Sequence, residues 1–77
     1  MDAKIFSTPT CGYCKQAKSY LKQAGVRVKE VDISKDQRAA EEMVRKTGQQ
    51  GVPVIIMKGT TIVGFDKNKI NRVLGIN

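Results

Sequence analysis

The order of apolar segments along the chain is the feature that most limits its fold. Segments of strand character alternate with segments of helical periodicity, and turn residues separate them. The pattern predicts four strands, in the ranges 3–7, 26–33, 52–57 and 61–64. It predicts three helices, over 13–25, over 34–47 and after an N-cap at Asp66.

This order restricts how the strands can pair. A strand–helix–strand unit joins parallel strands through a right-handed crossover, so the first two strands should be parallel. The last two strands should form a hairpin around the turn Lys58-Gly59-Thr60. We therefore expect an α/β fold in the order βαβαββα, with one four-stranded mixed sheet and three helices on its two faces.

The second helix has a predicted start and a predicted buried face. Ser34 followed three residues later by Gln37 has the form of a capping box. The apolar positions Ala40, Met43 and Val44 recur at helical spacing and are expected to face inward.

Charge and composition limit the classes of partner. The chain has 77 residues and a net charge of +7, from 14 lysines and arginines against 7 aspartates and glutamates. This length predicts a single domain over residues 1–77, and this charge favours anionic partners. The basic residues are scattered, and 2 Tyr and 2 Phe are too few for a series of stacked bases. Nucleic-acid binding is therefore not expected.

The sequence also predicts a compartment. No run of about 18 apolar residues is present, and "MDAKIFS" at the start lacks the apolar core of a signal peptide. We expect a cytoplasmic protein with no membrane partner. Stable structural disulfides are uncommon in that compartment, so the 2 cysteines call for another explanation.

Cys11 and Cys14 stand where the first strand runs into the first helix. A CxxC at this point of a βαβ unit is typical of redox proteins. Unpaired N–H groups and the helix dipole stabilise a thiolate at Cys11, so its pKa should be lowered and it can attack a disulfide. Cys14 lies on the buried stripe with Ala17 and Leu21, and is expected to resolve the mixed disulfide. Lys15 adds a positive charge nearby or points to solvent.

Three other roles for the cysteines are open. A structural zinc ion needs four ligands, and this chain has no His and no third Cys, so only a dimer could complete the site. A [2Fe–2S] cluster shared between two chains meets the same requirement. Two idle core cysteines would explain Cys14 but not Cys11, which the helix geometry leaves at the surface.

A second motif, "GVPVI", places Pro53 directly before an apolar run that suits a strand buried on both faces. Proline is tolerated at the first residue of a strand because only a terminal hydrogen bond is lost. A more specific interpretation is that the Val52–Pro53 bond is cis.

Three motifs together resemble glutaredoxin: Cys11-Gly-Tyr-Cys14 opening a helix, Val52-Pro53 before a central strand, and Gly64-Phe65-Asp66 before the last helix. The resemblance covers nearly the whole chain. It implies the thioredoxin fold and a thiol–disulfide oxidoreductase that uses glutathione as co-substrate and holds no tightly bound cofactor or metal. It also implies a cis proline beside the cysteines.

The resemblance implies a glutathione groove as well. Val52 would offer its backbone to the cysteinyl part of glutathione, and Pro53 would shape the groove beside Tyr13. Carboxylates bind where helix N–H groups are free, so the start of the last helix would take the γ-glutamyl carboxylate. The residues expected to bind glutathione are Tyr13, Gln49, Gln50, Gly51, Val52, Pro53, Gly64, Phe65, Asp66 and Lys67.

Several positions depart from the family pattern. Gly12 replaces the usual proline between the cysteines and is the thioredoxin-like choice. Thr8 and Gln49 are uncharged where the family often has basic residues. Lys67 stands where a second acid is common, and Gly51 where many members have threonine. These differences predict weak, salt-sensitive binding of glutathione.

Two further functions are consistent with the sequence. The ending "GFDKNKINRVL" is similar to redoxins that take electrons from thioredoxin reductase and supply ribonucleotide reductase. A redox-silent interaction module on the same fold is the second alternative. The expected partners are glutathione, disulfide-containing proteins and, in the first alternative, thioredoxin reductase. The protein is expected to be a monomer.

Overall fold

A computed structural model describes residues 1–76 as one mixed sheet with helices on both faces. The elements are β1 (Asp2–Ser7), α1 (Gly12–Gln23), β2 (Arg27–Asp32), α2 (Gln37–Thr47), β3 (Val54–Met57), β4 (Thr60–Val63) and α3 (Lys67–Leu74). The strand order is β2-β1-β3-β4. β1 pairs parallel with β2 and antiparallel with β3, and β3 pairs antiparallel with β4.

The predicted βαβαββα order, the parallel first pair and the final hairpin are all confirmed. The bounds differ by one or two residues at several ends. β3 begins at Val54 rather than Val52, because proline has no N–H to give to a strand ladder and Val52-Pro53 forms the entry loop. β4 ends at Val63, before Gly64, whose φ of +83° leaves the strand conformation.

Two apolar clusters hold the helices to the sheet. Successive residues of a strand point to opposite faces, so Ile5 and Phe6 on β1 belong to different clusters, and both are fully buried. The α1/α3 side buries Ala3, Ile5, Ala17, Leu21, Val26, Ile55, Met57, Ile62 and Ile70. The α2 side buries Phe6, Ala39, Met43 and Val54.

The predicted start of α2 is wrong. Asp36, not Ser34, is the N-cap, and its carboxylate accepts a hydrogen bond from the Ala39 N–H at 3.1 Å. Ser34 instead donates from its N–H and its hydroxyl to the Asp32 carboxylate, in the turn after β2. The Ser34 hydroxyl is therefore bound to Asp32, and it does not accept the N–H hydrogen bond that a capping box requires.

The predicted buried face of α2 is also partly wrong. Ala39 and Met43, four residues apart, are the buried residues of the helix. Ala40 is partly buried, and Val44 is 36% exposed. The helix is rotated slightly from the expected phase, so Met43 lies on the sheet and Val44 at the rim.

Ser7 at the end of β1 is a buried polar residue, with 2% of its surface exposed. Its hydroxyl donates to Glu30 Oε2 at 3.0 Å, and Lys18 Nζ donates to Glu30 Oε1 at 3.1 Å. Glu30 thus links β1, β2 and α1. The Lys18 hydrogen bond, followed by that from Ser7, holds the pKa of the Glu30 carboxyl below its usual value.

This lowered pKa predicts a pH dependence of stability. Stability from the Glu30 charge is present above the pKa of an unfolded glutamate, about 4.3, and is lost as the pH falls through the lower folded value. The free energy of unfolding should therefore drop on acidification below about pH 4.5, and less steeply in Glu30→Gln. Urea unfolding at several pH values measures this. Glu41→Gln, at an exposed site, is the control and should keep the wild-type profile; equal slopes in all three proteins would contradict the prediction.

Candidate active site

Cys11 is the N-cap of α1, with φ −85° and ψ 108°. Its Sγ accepts a hydrogen bond from the Cys14 N–H at 3.1 Å. A disulfide joins the two cysteines, whose Cα atoms are 5.2 Å apart. Cys14 is 1% exposed, whereas Cys11 is only partly buried. The less buried of the two cysteines therefore lies where helix N–H groups and the helix dipole favour a negative charge.

A short turn places the cysteines at the end of an inner strand. The Cys11 N–H donates to the Thr8 carbonyl at 3.2 Å and closes the turn between β1 and α1. β1 has a hydrogen-bonded neighbour on each side. Cys11 therefore follows an inner strand of the sheet and not an edge strand.

The loop before β3 approaches Cys11 from the other side. The Val52–Pro53 bond is cis, which confirms the prediction. Cys11 Sγ lies 3.9 Å from the Val52 carbonyl oxygen. Pro53 is buried, and its carbonyl accepts a hydrogen bond from the Gly64 N–H at 2.8 Å. The predicted cysteine, proline and Gly64 segments are thus brought together.

The Gln49 side chain forms hydrogen bonds within this loop. Its Oε1 accepts from the Gly51 N–H at 2.6 Å, and its Nε2 donates to the Gly51 carbonyl at 3.1 Å. The Nε2 also lies 3.3 Å from the Thr47 hydroxyl. Gln50 is exposed and lines a separate cavity beside Met43 and Val44 of α2. The two glutamines therefore point to different places, although the sequence predicted one role for both.

The segment after β4 forms the other end of the site. Asp66 is the N-cap of α3 and accepts a hydrogen bond from the Lys69 N–H at 3.1 Å. This leaves the N–H groups of the first helical residues, Lys67 and Asn68, without helical partners. A cavity of about 480 Å³ lies there, lined by Val63, Phe65, Asp66, Lys67 and Asn68.

Residues 3–62 match the family model of glutaredoxin. The chain belongs to the glutaredoxin family. Over 71 residues it is 44% identical to a glutaredoxin-like 8.6 kDa protein in the rubredoxin operon of Clostridium pasteurianum, which covers 92% of this chain and 95% of that protein. Glutaredoxin 3 of Escherichia coli is 34% identical over 65 residues, covering 84% of this chain and 78% of that protein.

A solved structure has the same fold. NrdH-redoxin from Escherichia coli, a glutaredoxin-like protein with a thioredoxin-like activity profile, superposes with a TM-score of 0.83. The match has 26% sequence identity and covers 95% of each chain. The thioredoxin fold and the glutaredoxin resemblance predicted from the three motifs are both confirmed.

Tyr20 was not predicted as a site residue, but it packs against Phe65 and Lys67, which were. Its ring packs edge-on against Phe65, with centroids 5.8 Å apart, and its hydroxyl donates to Asn71 Oδ1. Lys67 Nζ lies 5.5 Å from the Tyr20 ring centroid and 5.6 Å from that of Phe65. Tyr13, which was predicted to flank the thiol, is 66% exposed. No local pattern in the sequence marks Tyr20, because its contacts depend on how α3 packs against α1.

Two further observations concern ions and membranes. Among residues 1–76, no three His, Cys, Asp or Glu side chains lie close enough to hold a metal ion. None of the helices in this part of the chain combines the length and the apolar character needed to cross a membrane.

Proposed function

We propose that this glutaredoxin-family protein reduces protein disulfides or glutathione mixed disulfides through a dithiol at Cys11 and Cys14. The observation that carries the proposal is the unequal placement of the two sulfurs. Cys11 is only partly buried and its Sγ accepts an N–H hydrogen bond at the start of α1, while Cys14 is 1% exposed. A cytoplasmic location agrees with this chemistry, because dithiols stay reduced there.

The chemistry takes two exchange steps. The Cys11 thiolate attacks one sulfur of the substrate disulfide, and the other substrate sulfur leaves as a thiolate that takes a proton from water. Cys14 then loses its proton and attacks Cys11 Sγ, which releases the second substrate sulfur as a thiolate. The substrate gains two electrons, and the Cys11–Cys14 disulfide is the oxidised product.

Two molecules of glutathione would restore the dithiol in the proposed cycle. The first opens the Cys11–Cys14 disulfide and leaves glutathione on Cys11. The second attacks that mixed disulfide, releases oxidised glutathione and returns the two electrons. The cavity at the start of α3 supports a glutathione carboxylate, because the free N–H groups there and the Lys67 ammonium both attract an anion.

The proposed use of glutathione is weak. Thr8 carries no charge, and Gln49 is hydrogen-bonded to Gly51, so neither supplies a cation to the glycyl carboxylate. A charged hydrogen bond contributes about 1.5–3 kcal/mol, so losing one reduces affinity roughly tenfold to a hundredfold.

Lys67→Glu should raise the KM for glutathione by roughly fivefold to tenfold at low salt, because it replaces attraction to a carboxylate by repulsion. The increase should shrink at high ionic strength as salt screens the charges. Turnover coupled to glutathione reductase measures the KM. Lys58→Glu makes the same change of charge in the β3–β4 turn and should leave the KM close to that of the wild type. Equal effects of both substitutions would contradict a local role for Lys67.

The position of glutathione can be tested directly. Cys14→Ser, oxidised to a glutathione mixed disulfide at Cys11, would hold the tripeptide in place for NMR. We expect amide shifts at Val52, Phe65 and Asp66 relative to the reduced variant. Unchanged amides at all three would exclude this groove as the glutathione site.

Thioredoxin reductase is the second candidate electron donor. Two observations favour it: Gly12 between the cysteines is the thioredoxin-like residue, and the fold matches NrdH-redoxin over 95% of both chains. Parallel turnover assays with glutathione plus glutathione reductase and with thioredoxin reductase decide between the two donors. Turnover only with thioredoxin reductase would replace glutathione in this proposal, and turnover with neither would overturn both versions.

A further inference from the structure

The net positive charge is concentrated on one face of the sheet. α1 and α3 pack on the same face, and within their bounds they carry six basic residues and no acidic residue. These residues are Lys15, Lys18, Lys22, Lys67, Lys69 and Arg72. On the opposite face, α2 carries three basic residues and two acidic ones. The two faces of the protein therefore differ strongly in charge.

Few cations on the α1/α3 face are neutralised within the protein. Lys18 is paired with Glu30 at 3.1 Å. Among residues 1–76, the other five basic side chains of α1 and α3 have no carboxylate within 4.0 Å, and all five residues are exposed. The remaining ion pairs join Lys4 and Lys46 to Glu42, and Arg27 to Asp2. We call the five unpaired residues the cationic face; they are Lys15, Lys22, Lys67, Lys69 and Arg72.

The cationic face begins one helical turn after Cys11, on the same helix. A cleft of about 380 Å³ lies between α1 and the start of α3, and its lining includes Lys15, Tyr20, Phe65 and Lys67. Lys15 is one helical turn after Cys11, and its N–H donates to the Cys11 carbonyl at 3.3 Å. The Lys67 ammonium is held over the two aromatic rings at this end. The cleft therefore lies along the helix that begins at Cys11, and the residues that line it include no acidic side chain.

We propose that the cationic face docks an acidic protein surface beside the disulfide that Cys11 reduces. This inference rests on the proposed function and names a class of substrate for it, namely disulfides flanked by aspartate and glutamate. Nucleic acid fits less well, because Tyr20 and Phe65 pack edge-on against each other with planes 68° apart and do not form a stacking platform. Charge complementarity of this kind mainly raises the rate of encounter.

Two synthetic peptides test the proposal. Each contains one intramolecular disulfide, flanked by glutamates in the first peptide and by glutamines in the second. We expect the reduced protein to reduce the acidic peptide about tenfold faster at low ionic strength, with the difference nearly gone at about 0.5 M salt. The measured quantity is the second-order rate constant of each reaction.

Two double variants with equal net charge localise the effect. Lys22→Glu with Lys69→Glu alters the cationic face, whereas Lys29→Glu with Lys58→Glu alters exposed lysines away from it, on β2 and on the β3–β4 turn. The first variant should lose the preference for the acidic peptide and keep its rate with the neutral one. The second variant should retain most of the preference.

The possible outcomes distinguish a failure of the docking proposal from a failure of the proposed disulfide reduction. Reduction of the neutral peptide with no preference for the acidic one overturns the docking surface alone. Equal loss of preference in both double variants assigns the effect to overall charge and overturns it as well. If the wild type reduces neither peptide, the dithiol function fails and this proposal fails with it. If a DNA duplex or phosphatidylserine vesicles bind the wild type at the same salt while the peptide preference is absent, the face has a different occupant.

Discussion

Cys11→Ser should lower the rate of disulfide reduction by roughly a thousandfold or more, because a neutral hydroxyl cannot replace a thiolate as the attacking group. The fold should survive the change. Cys11 is the N-cap of α1, and serine is among the preferred residues at that position. The serine hydroxyl can accept the Cys14 N–H bond that the sulfur accepts now. Loss of activity in a protein with unchanged circular dichroism would therefore report the chemistry and not misfolding.

Cys14→Ser is the matched variant for this prediction. It should keep the first exchange step and stop at the mixed disulfide, since the buried resolving sulfur is gone. Intact-mass measurement after mixing with oxidised glutathione should show one covalent adduct on Cys14→Ser and none on Cys11→Ser. Alkylation by iodoacetamide should likewise be fast in Cys14→Ser and slow in Cys11→Ser. The opposite order in either measurement would exchange the roles of the two cysteines.

Phe6→Ala should reduce the free energy of unfolding by about 3–5 kcal/mol, because it deletes a fully buried ring and leaves a cavity. Small domains have total stabilities of about 5–15 kcal/mol, so the variant should be close to unfolding at 37 °C. Phe6 is part of the cluster beneath α2, and Val52 packs against that cluster. The substitution should therefore also loosen the loop that contacts Cys11.

Urea unfolding followed by circular dichroism measures this loss as a lower midpoint with an unchanged slope. Val63→Ala, at a residue that is 49% exposed, is the control and should change stability by less than about 0.5 kcal/mol. A Phe6→Ala variant as stable as this control would mean that the α2 cluster contributes little to the fold.

Much of the fold follows from short-range patterns in the sequence. The position of CxxC between an apolar strand and a helical stripe is determined by local periodicity, and so is the hairpin at Gly59. The handedness rule then leaves few ways to arrange the strands of a βαβ unit. The order of elements was therefore predicted correctly, because the strand, helix and turn patterns are all consistent with one fold.

The start of α2 was predicted wrongly because two nearby polar residues can both act as its N-cap. Ser34 and Asp36 belong to residue types that are both good N-caps. In the structure Ser34 is hydrogen-bonded to the Asp32 carboxylate, and Asp36 caps the helix. The sequence contains all three residues but not the turn geometry that decides among them. The exposure of Val44 depends instead on how α2 packs on the sheet, which local periodicity does not specify.

The sequence predicted which segments form the candidate site, but not which side chains touch each other there. The resemblance to glutaredoxin implied that the segments of Cys11, Pro53 and Gly64 lie together, and the structure does place these three segments side by side. The contact of Lys67 with Tyr20 depends on how α3 lies against α1, which local periodicity does not specify. The internal bonding of Gln49 depends on the loop path, and the sequence gives no local signal for that either.

The contact between Cys11 Sγ and the Val52 carbonyl joins residues 41 positions apart in the chain. During synthesis the two thiols leave the ribosome well before the loop that faces them. Until β3 has been made and has paired with β1, the nascent chain carries its cysteines without the Val52–Pro53 loop beside them. In the proposed cycle, selectivity among disulfides would thus be acquired only when the second half of the chain folds onto the first, and a chain cut short before Val52 would keep its thiols but lack that loop.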